Sequence, residues 1–193
     1  MFLFCFLDLS DICVHLLDIN TAFRELSVSL PGRTVSRTLT DFKFSPHRDR
    51  FDYWPQILCS NAMTGRCYWE VDWTADWLRM NIRGVDIAVS YKDISRKGDS
   101  SECGFGFNQK SWSLMVCYGY YCIRHHGIES KVGTFSPSHS GRVAVYLDCP
   151  AGTMSFYRVT QDKLIHIQTI NNTFTGPLYA GFGLLSGTEV SLN

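Results

Sequence analysis

With 193 residues, 45% of them hydrophobic and 14% aromatic, the chain is too apolar for disorder and long enough for one domain with a sizeable core. Lys plus Arg and Asp plus Glu each number 18, so no net charge draws the chain to nucleic acid or to an anionic membrane. A partner must therefore be recognised locally, and neither nucleic acid nor membrane is expected as one.

Met1 to Leu7 are apolar, but no basic residue precedes them and Asp8 and Asp11 follow soon after. That is too short for a membrane span and a poor signal peptide. Residues 1–15 are read as an N-terminal extension, from a truncated or mispredicted start. Leu9 to Leu17 have apolar residues at mixed spacing and are read as one helical turn or a strand, with strand favoured for the second half.

Further on, period-two alternation dominates. Trp69, Val71 and Trp73 share one face of a strand while Glu70 and Asp72 take the other. The pattern returns at Val85, Ile87 and Val89, at Trp112, Leu114 and Val116, and at Val143, Val145 and Leu147. Asp148 to Thr153 contains Pro150 and Gly152 and predicts a hairpin turn, after which Met154 and Phe156 point inward. Gly176-Pro177 breaks the chain before Leu178 to Phe182, and Val190 and Leu192 offer a last strand. Short strands punctuated by turns, without a long helical repeat, predict an all-β sandwich. Trp69, Trp73, Trp112 and Phe156 are assigned to its core.

Catalytic motifs are scarce. There is no G-x-S-x-G elbow and no phosphate-cradling G-x-x-x-x-G-K-[ST] loop. Gly104-Phe105-Gly106 lacks the third glycine of a dinucleotide fingerprint and reads as a turn. His125-His126 would face opposite sides of a strand, which suits one metal ion badly. None of the eight cysteines forms a C-x-x-C pair, so neither metal nor cofactor is expected. Cys67 and Cys149 lie among apolar residues, where a free thiol behaves as a small hydrophobe. Reduced cysteines in a cytoplasmic protein are the expectation, and disulfides in a secreted one the alternative.

Several segments carry a resemblance. Leu17-Asp18-Ile19-Asn20-Thr21-Ala22, followed by Leu26-Ser27-Val28-Ser29, resembles the opening of a PRY segment, with Ile19 in place of the customary proline. Arg50 to Cys59, and then Gly65-Arg66-Cys67-Tyr68-Trp69-Glu70-Val71-Asp72-Trp73, resemble the entry into SPRY and its W-E-V-[ED] signature. Val85 to Tyr91, Lys110 to Leu114, Leu147 to Tyr157 and Phe174 to Phe182 continue it in order. The chain is thus similar to the PRY-SPRY domains expanded in fish, which occur in tripartite-motif ubiquitin ligases, NACHT receptors and stonustoxin-like toxin subunits. The resemblance implies a PRY part over about residues 16–60 and a SPRY part over about 61–193, folded as a bent two-sheet sandwich (jelly-roll, concanavalin-like). It also implies a non-catalytic module that binds a protein through surface loops, with innate immunity or ubiquitin-ligase signalling as context. A fragment of a secreted toxin or adhesion module is the alternative, for which Asn171 in Asn-Asn-Thr would be a glycan acceptor.

The implied loops are Phe42 to Tyr53, Lys92 to Glu102 and Tyr118 to Phe135. Aromatic residues and arginines most often anchor interfaces, which selects Phe44, Arg48, Arg50, Tyr118, Tyr120, Tyr121, Arg124 and His126 as candidate protein-binding residues. Thr74 to Arg83 departs from the resemblance as an insertion, and its Trp77, Leu78 and Met80 are expected as an apolar loop tip.

Overall fold

The computed structural model describes residues 8–38, 40–76, 83–161 and 163–193. Within them run β1 (Leu26–Val28), β2 (Thr34–Arg37), β3 (Gln56–Met63), β4 (Arg66–Ala75), β5 (Arg83–Tyr91), β6 (Ser111–Cys117) and β7 (Tyr120–His125). There follow β8 (Ile128–Thr134), β9 (Ser140–Asp148), β10 (Thr153–Val159), β11 (Leu164–Asn171), β12 (Leu178–Leu184) and β13 (Thr188–Leu192). They form two antiparallel sheets, one ordered β1-β2-β13-β4-β9-β10-β11 and the other β3-β12-β5-β6-β7-β8. This is the sandwich that the alternation predicts.

The core comes from the predicted faces. Trp69, Val71 and Trp73 of β4, with Val143, Val145 and Leu147 of β9 and Met154 and Phe156 of β10, pack in one cluster with the second sheet. That sheet contributes Val85, Ile87 and Val89 of β5 and Trp112, Leu114 and Val116 of β6. Each such side chain gains about 1.5–3 kcal/mol by leaving water, so these two inner faces hold the sheets together. Gly141 lies opposite Trp73, where a Cβ would meet the indole at 2.8 Å. The β9–β10 turn forms as expected, with Gly152 at φ 69° and the Asp148 carboxylate accepting the Ala151 N–H at 2.9 Å.

Two expectations need correction. Tyr118 to Phe135 is mostly not a loop but the β7–β8 hairpin. The edge strand β8 is largely exposed and polar, so it carries no alternation to read. Leu9–Asp11 is a short 3-10 turn, after which the chain is extended and hydrogen-bonded at single points rather than along a strand. Cys13 N–H donates to Tyr68 O at 2.9 Å and Asp18 N–H to Leu58 O at 2.9 Å, so this stretch rests on β4 and β3. β4 continues through Ala75 and β5 begins at Arg83. The expected tip of Trp77, Leu78 and Met80 lies outside the described residues, as do Met1 to Leu7.

On the outer face of the seven-stranded sheet, Arg142 grips Asp72 through Nε at 2.7 Å and Nη2 at 2.8 Å, and reaches Glu70 through Nη1 at 3.0 Å. Burial alone would raise the Asp72 carboxyl, but hydrogen bonds from Arg142 and Asn193 outweigh it and hold it below its usual value. A carboxyl lowered on folding stabilises the fold above its unfolded value of about 4 and loses that contribution as pH falls through the folded value. Both partners are 40% exposed, so Asp72→Asn is expected to cost no more than about 1 kcal/mol at neutral pH. The gap in urea midpoint between the two proteins should close in acid; a gap that does not change with pH would remove this pair from the account.

Candidate functional site

The outer face of the six-stranded sheet carries a pocket built by register. Gln56, Gly183, Asp86, Met115, Cys122 and Lys131 stand side by side across β3, β12, β5, β6, β7 and β8. Their neighbours Ile57, Phe182, Ile87 and Leu114 are in the core, so the row faces outward. Gly183 leaves a gap in the row, where a Cβ would press on Asp86 at 3.1 Å. Over this gap lies a cavity of about 150 Å³ with Trp54, Phe107, Leu184 and Leu185 among its walls.

Arg124 forms one side of the base. Its side chain is 3% exposed and donates to Glu129 from Nη2 at 3.0 Å, while Nη1 lies 3.6 Å from Asp86. Nη2 also meets the Met115 sulfur at 3.1 Å, and the guanidinium carbon sits 4.3 Å from the Phe107 ring centroid. One guanidinium therefore faces two carboxylates and an aromatic face at the base of an apolar pocket.

The wall residue Phe107 is fixed by a polar network. Asn108 donates to Ser101 O, Glu102 O and Gly104 O, and its Oδ1 accepts from Lys110 N–H and Ser111 Oγ. Buried Gln56 donates to Cys103 O and accepts the Phe105 N–H at 3.0 Å. Gly104-Phe105-Gly106 is thus the turn predicted, with Gly106 at φ 78°.

Two of the expected loops meet beside the pocket. Lys97 Nζ donates to Arg50 O at 2.7 Å, Gly98 N–H to the Asp52 carboxylate at 2.8 Å, and Trp54 Nε1 to Ser100 O at 3.1 Å. The rim so formed exposes Phe42, Tyr53 and Arg48, whose side chain is 92% exposed. His126 is exposed in the β7–β8 turn and its N–H donates to Asn108 O, which brings it to the same rim.

The other sequence-predicted residues are placed differently. Arg50 is engaged within the fold: it donates to Ile19 O, Ala22 O and Ser45 O and lies 4.8 Å over half-buried Phe44. Tyr121 is a core residue whose ring lies tilted against Phe135, and burial pushes its hydroxyl up to about 12. Arg124 is buried, at the pocket base rather than on a loop. Tyr118 lies in the β6–β7 turn and Tyr120 opens β7, the latter about 20 Å from His126 at roughly 3.3 Å per residue. Sequence reasoning missed Trp54, Asp86, Phe107, Met115 and Leu185; of these only the two aromatics carried a signal, as large side chains beside turn residues.

The cysteines also divide. Cys13 and Cys67 form a disulfide, which corrects the reading of Cys67 as a free thiol. His15 lies beside it, with Nε2 3.6 Å from the Cys67 sulfur, and burial lowers its imidazole to about 4. Cys59, Cys103, Cys117, Cys122 and Cys149 are free. Burial raises the thiols of Cys59, Cys117, Cys122 and Cys149, the opposite of what a nucleophile needs.

Residues 66–193 match the SPRY domain family and residues 16–63 the SPRY-associated domain, PRY. The beta subunit of neoverrucotoxin from Synanceia verrucosa is 33% identical over 183 residues, which are 94% of this chain and 24% of that protein. Tripartite motif-containing protein 14 of Mus musculus is 30% identical over 89% of this chain and 37% of its own length. The chain thus spans well under half of either relative. Among solved structures, the TRIM65 PSpry domain superposes with a TM-score of 0.81 at 23% identity, covering 95% of this chain and 91% of that one. Together with the two-sheet fold, these matches establish that the chain belongs to the SPRY family and forms a PRY-SPRY domain.

Proposed function

We propose that this domain is a non-catalytic recognition module that seats an apolar side chain of a partner protein in the pocket between Trp54, Phe107 and Leu185. SPRY domains generally bind protein partners. The observation that carries the reading is the pocket itself: aromatic and aliphatic walls over a rigid sheet, bordered by a rim that presents Phe42, Arg48, Tyr53 and His126. Interfaces concentrate their energy in such desolvated pockets, with exposed aromatics and arginines around them. Raised, buried thiols support a role without a nucleophile. The likeness to tripartite-motif proteins supports a cytoplasmic place in ubiquitin-ligase-linked or innate-immune signalling.

The test is capture of a protein partner by the purified domain beside a Leu185→Asp variant. Leu185 lines the pocket yet is 37% exposed, so the variant is expected to fold while it places a charge at the pocket mouth. Loss of at least about 2 kcal/mol in affinity, roughly 30-fold, is the expected result for an anchor pocket. Equal capture by both proteins would exclude the pocket.

A second reading has its own observation. The Cys13–Cys67 disulfide and the 33% identity to a toxin subunit favour an extracellular module. Thiol counting on protein taken from its source without reductant separates the two: all eight cysteines free supports the cytoplasmic reading, and a protected pair the extracellular one.

A further inference from the structure

Cys13 and His15 lie on an extended segment whose alternate residues Ile12, Val14 and Leu16 are exposed, so the two side chains turn inward together. There they meet Cys67 of β4, and the two sulfurs and an imidazole nitrogen all lie within 4.8 Å of one another. His15 is 3% exposed, with its ring edge-on to Trp69 at 5.0 Å. Its Nδ1 has no hydrogen-bond partner and its Nε2 faces only sulfur. An imidazole so placed has no oxygen or nitrogen acceptor among the described residues, and the sulfur pair is its one polar neighbour.

We propose that, once the disulfide is reduced, Cys13, His15 and Cys67 bind a zinc ion through two thiolates and one imidazole nitrogen. Around tetrahedral zinc, bonds of about 2.0–2.3 Å put sulfur and nitrogen ligands roughly 3.5–3.8 Å apart. The His15 Nε2 to Cys67 Sγ distance is 3.6 Å. The cysteine Cα atoms are 5.5 Å apart, so rotation of the side chains lets the sulfurs part to this spacing. The backbone does not depend on the disulfide for its place: Cys13 N–H is bonded to Tyr68 O, Leu16 N–H to Asn61 Oδ1 and Leu17 N–H to Gly32 O. A cavity of about 310 Å³ between this segment and the β3–β4 turn borders all three side chains, and gives water access to the fourth position.

The chemistry balances in two steps. A dithiol reductant supplies two electrons and two protons; the Cys13–Cys67 bond breaks into two thiols as the reductant closes its own disulfide. Zinc then displaces both thiol protons to solvent, forms two Zn–S bonds, accepts the imidazole lone pair and takes a water as fourth ligand. Disulfide and metal are mutually exclusive states of one cross-link between the N-terminal segment and β4.

The experiment uses the whole chain, either oxidised or reduced with a phosphine that does not compete for metal, and titrates it with Co²⁺. The reduced chain is expected to take one equivalent, with a thiolate-to-cobalt charge-transfer band and the visible bands of tetrahedral Co²⁺, and to release it to one equivalent of Zn²⁺. The oxidised chain retains every other cysteine and should show neither band. Reduced His15→Ala should bind at least about 10-fold more weakly. Absence of the bands in the reduced chain, equal uptake by the oxidised chain, or unchanged binding by the variant would each overturn the proposal. Should the variant fail to fold, the two redox forms of the native chain still decide it.

Discussion

Replacing Arg124 with alanine should destabilise the domain by about 3 kcal/mol, near the lower end of what removing one member of a buried ion cluster costs. The guanidinium is almost wholly buried while Asp86 and Glu129 keep side-chain exposures of 24% and 33%. Water therefore returns part of the solvation that the two carboxylates need, which is why the upper end of the range is not reached. What remains is repulsion between two like charges, a lost hydrogen bond to Glu129, a lost ion pair with Asp86, and an exposed Phe107 face. Urea unfolding reads the loss directly as a lower midpoint at constant slope. A triple variant, Arg124→Met with Asp86→Asn and Glu129→Gln, removes the charges together and should recover most of the loss, because cost lies in the unpaired charge more than in the pair. A single Arg124→Ala variant as stable as the parent would show that the cluster couples nothing.

The same cluster links stability to recognition. Arg124 stacks on Phe107, which is a wall of the pocket, and Phe107 is held by the Asn108 and Gln56 network. A partner side chain entering the pocket meets surfaces whose conformations are already paid for by folding, so less ordering is needed on binding. The rim is different: Arg48 forms a long ion pair, at 3.8 Å, with Asp49 and stays exposed. Rim charges of this kind mainly affect encounter rate, whereas pocket contacts govern dissociation.

The parts of this architecture that were legible in the sequence are those where one strand face is buried and the other is not. Trp69, Val71 and Trp73 alternate with Glu70 and Asp72 because β4 has one face in the core and its other face carries the Arg142 bridge. β7 and β8 were illegible for two reasons. β8 is an exposed edge, and β7 places Arg124 in a buried site that exists only once β8 sets Glu129 opposite it and β5 brings Asp86 within 3.6 Å. The pocket was illegible because Gln56, Gly183, Asp86 and Met115 come from four strands, and only register brings them together. Arg50 resembled an interface anchor by type, but three backbone carbonyls of its own chain claim its guanidinium. Cys13 and Cys67 stand 54 residues apart, a separation that spacing alone cannot pair.

That separation sets the size of the other large effect. Closing a 54-residue loop removes chain entropy from the unfolded state worth about 4 kcal/mol, within the roughly 2–5 kcal/mol seen when native disulfides are removed. Reduction of the native chain in the presence of a chelator is therefore expected to lower its melting temperature by about 10 °C, at 2–4 °C per kcal/mol for a domain of this size. The urea slope should rise as well, because an unfolded chain freed of the cross-link exposes more surface. Cys13→Ser should begin at the reduced protein's stability and ignore reductant. If native chain and variant respond alike to reductant, the disulfide contributes nothing. Zinc added to the reduced native chain at 100 times its dissociation constant should restore about 2.7 kcal/mol, and should leave Cys13→Ser unchanged, since only the native chain can rebuild the cross-link through the metal.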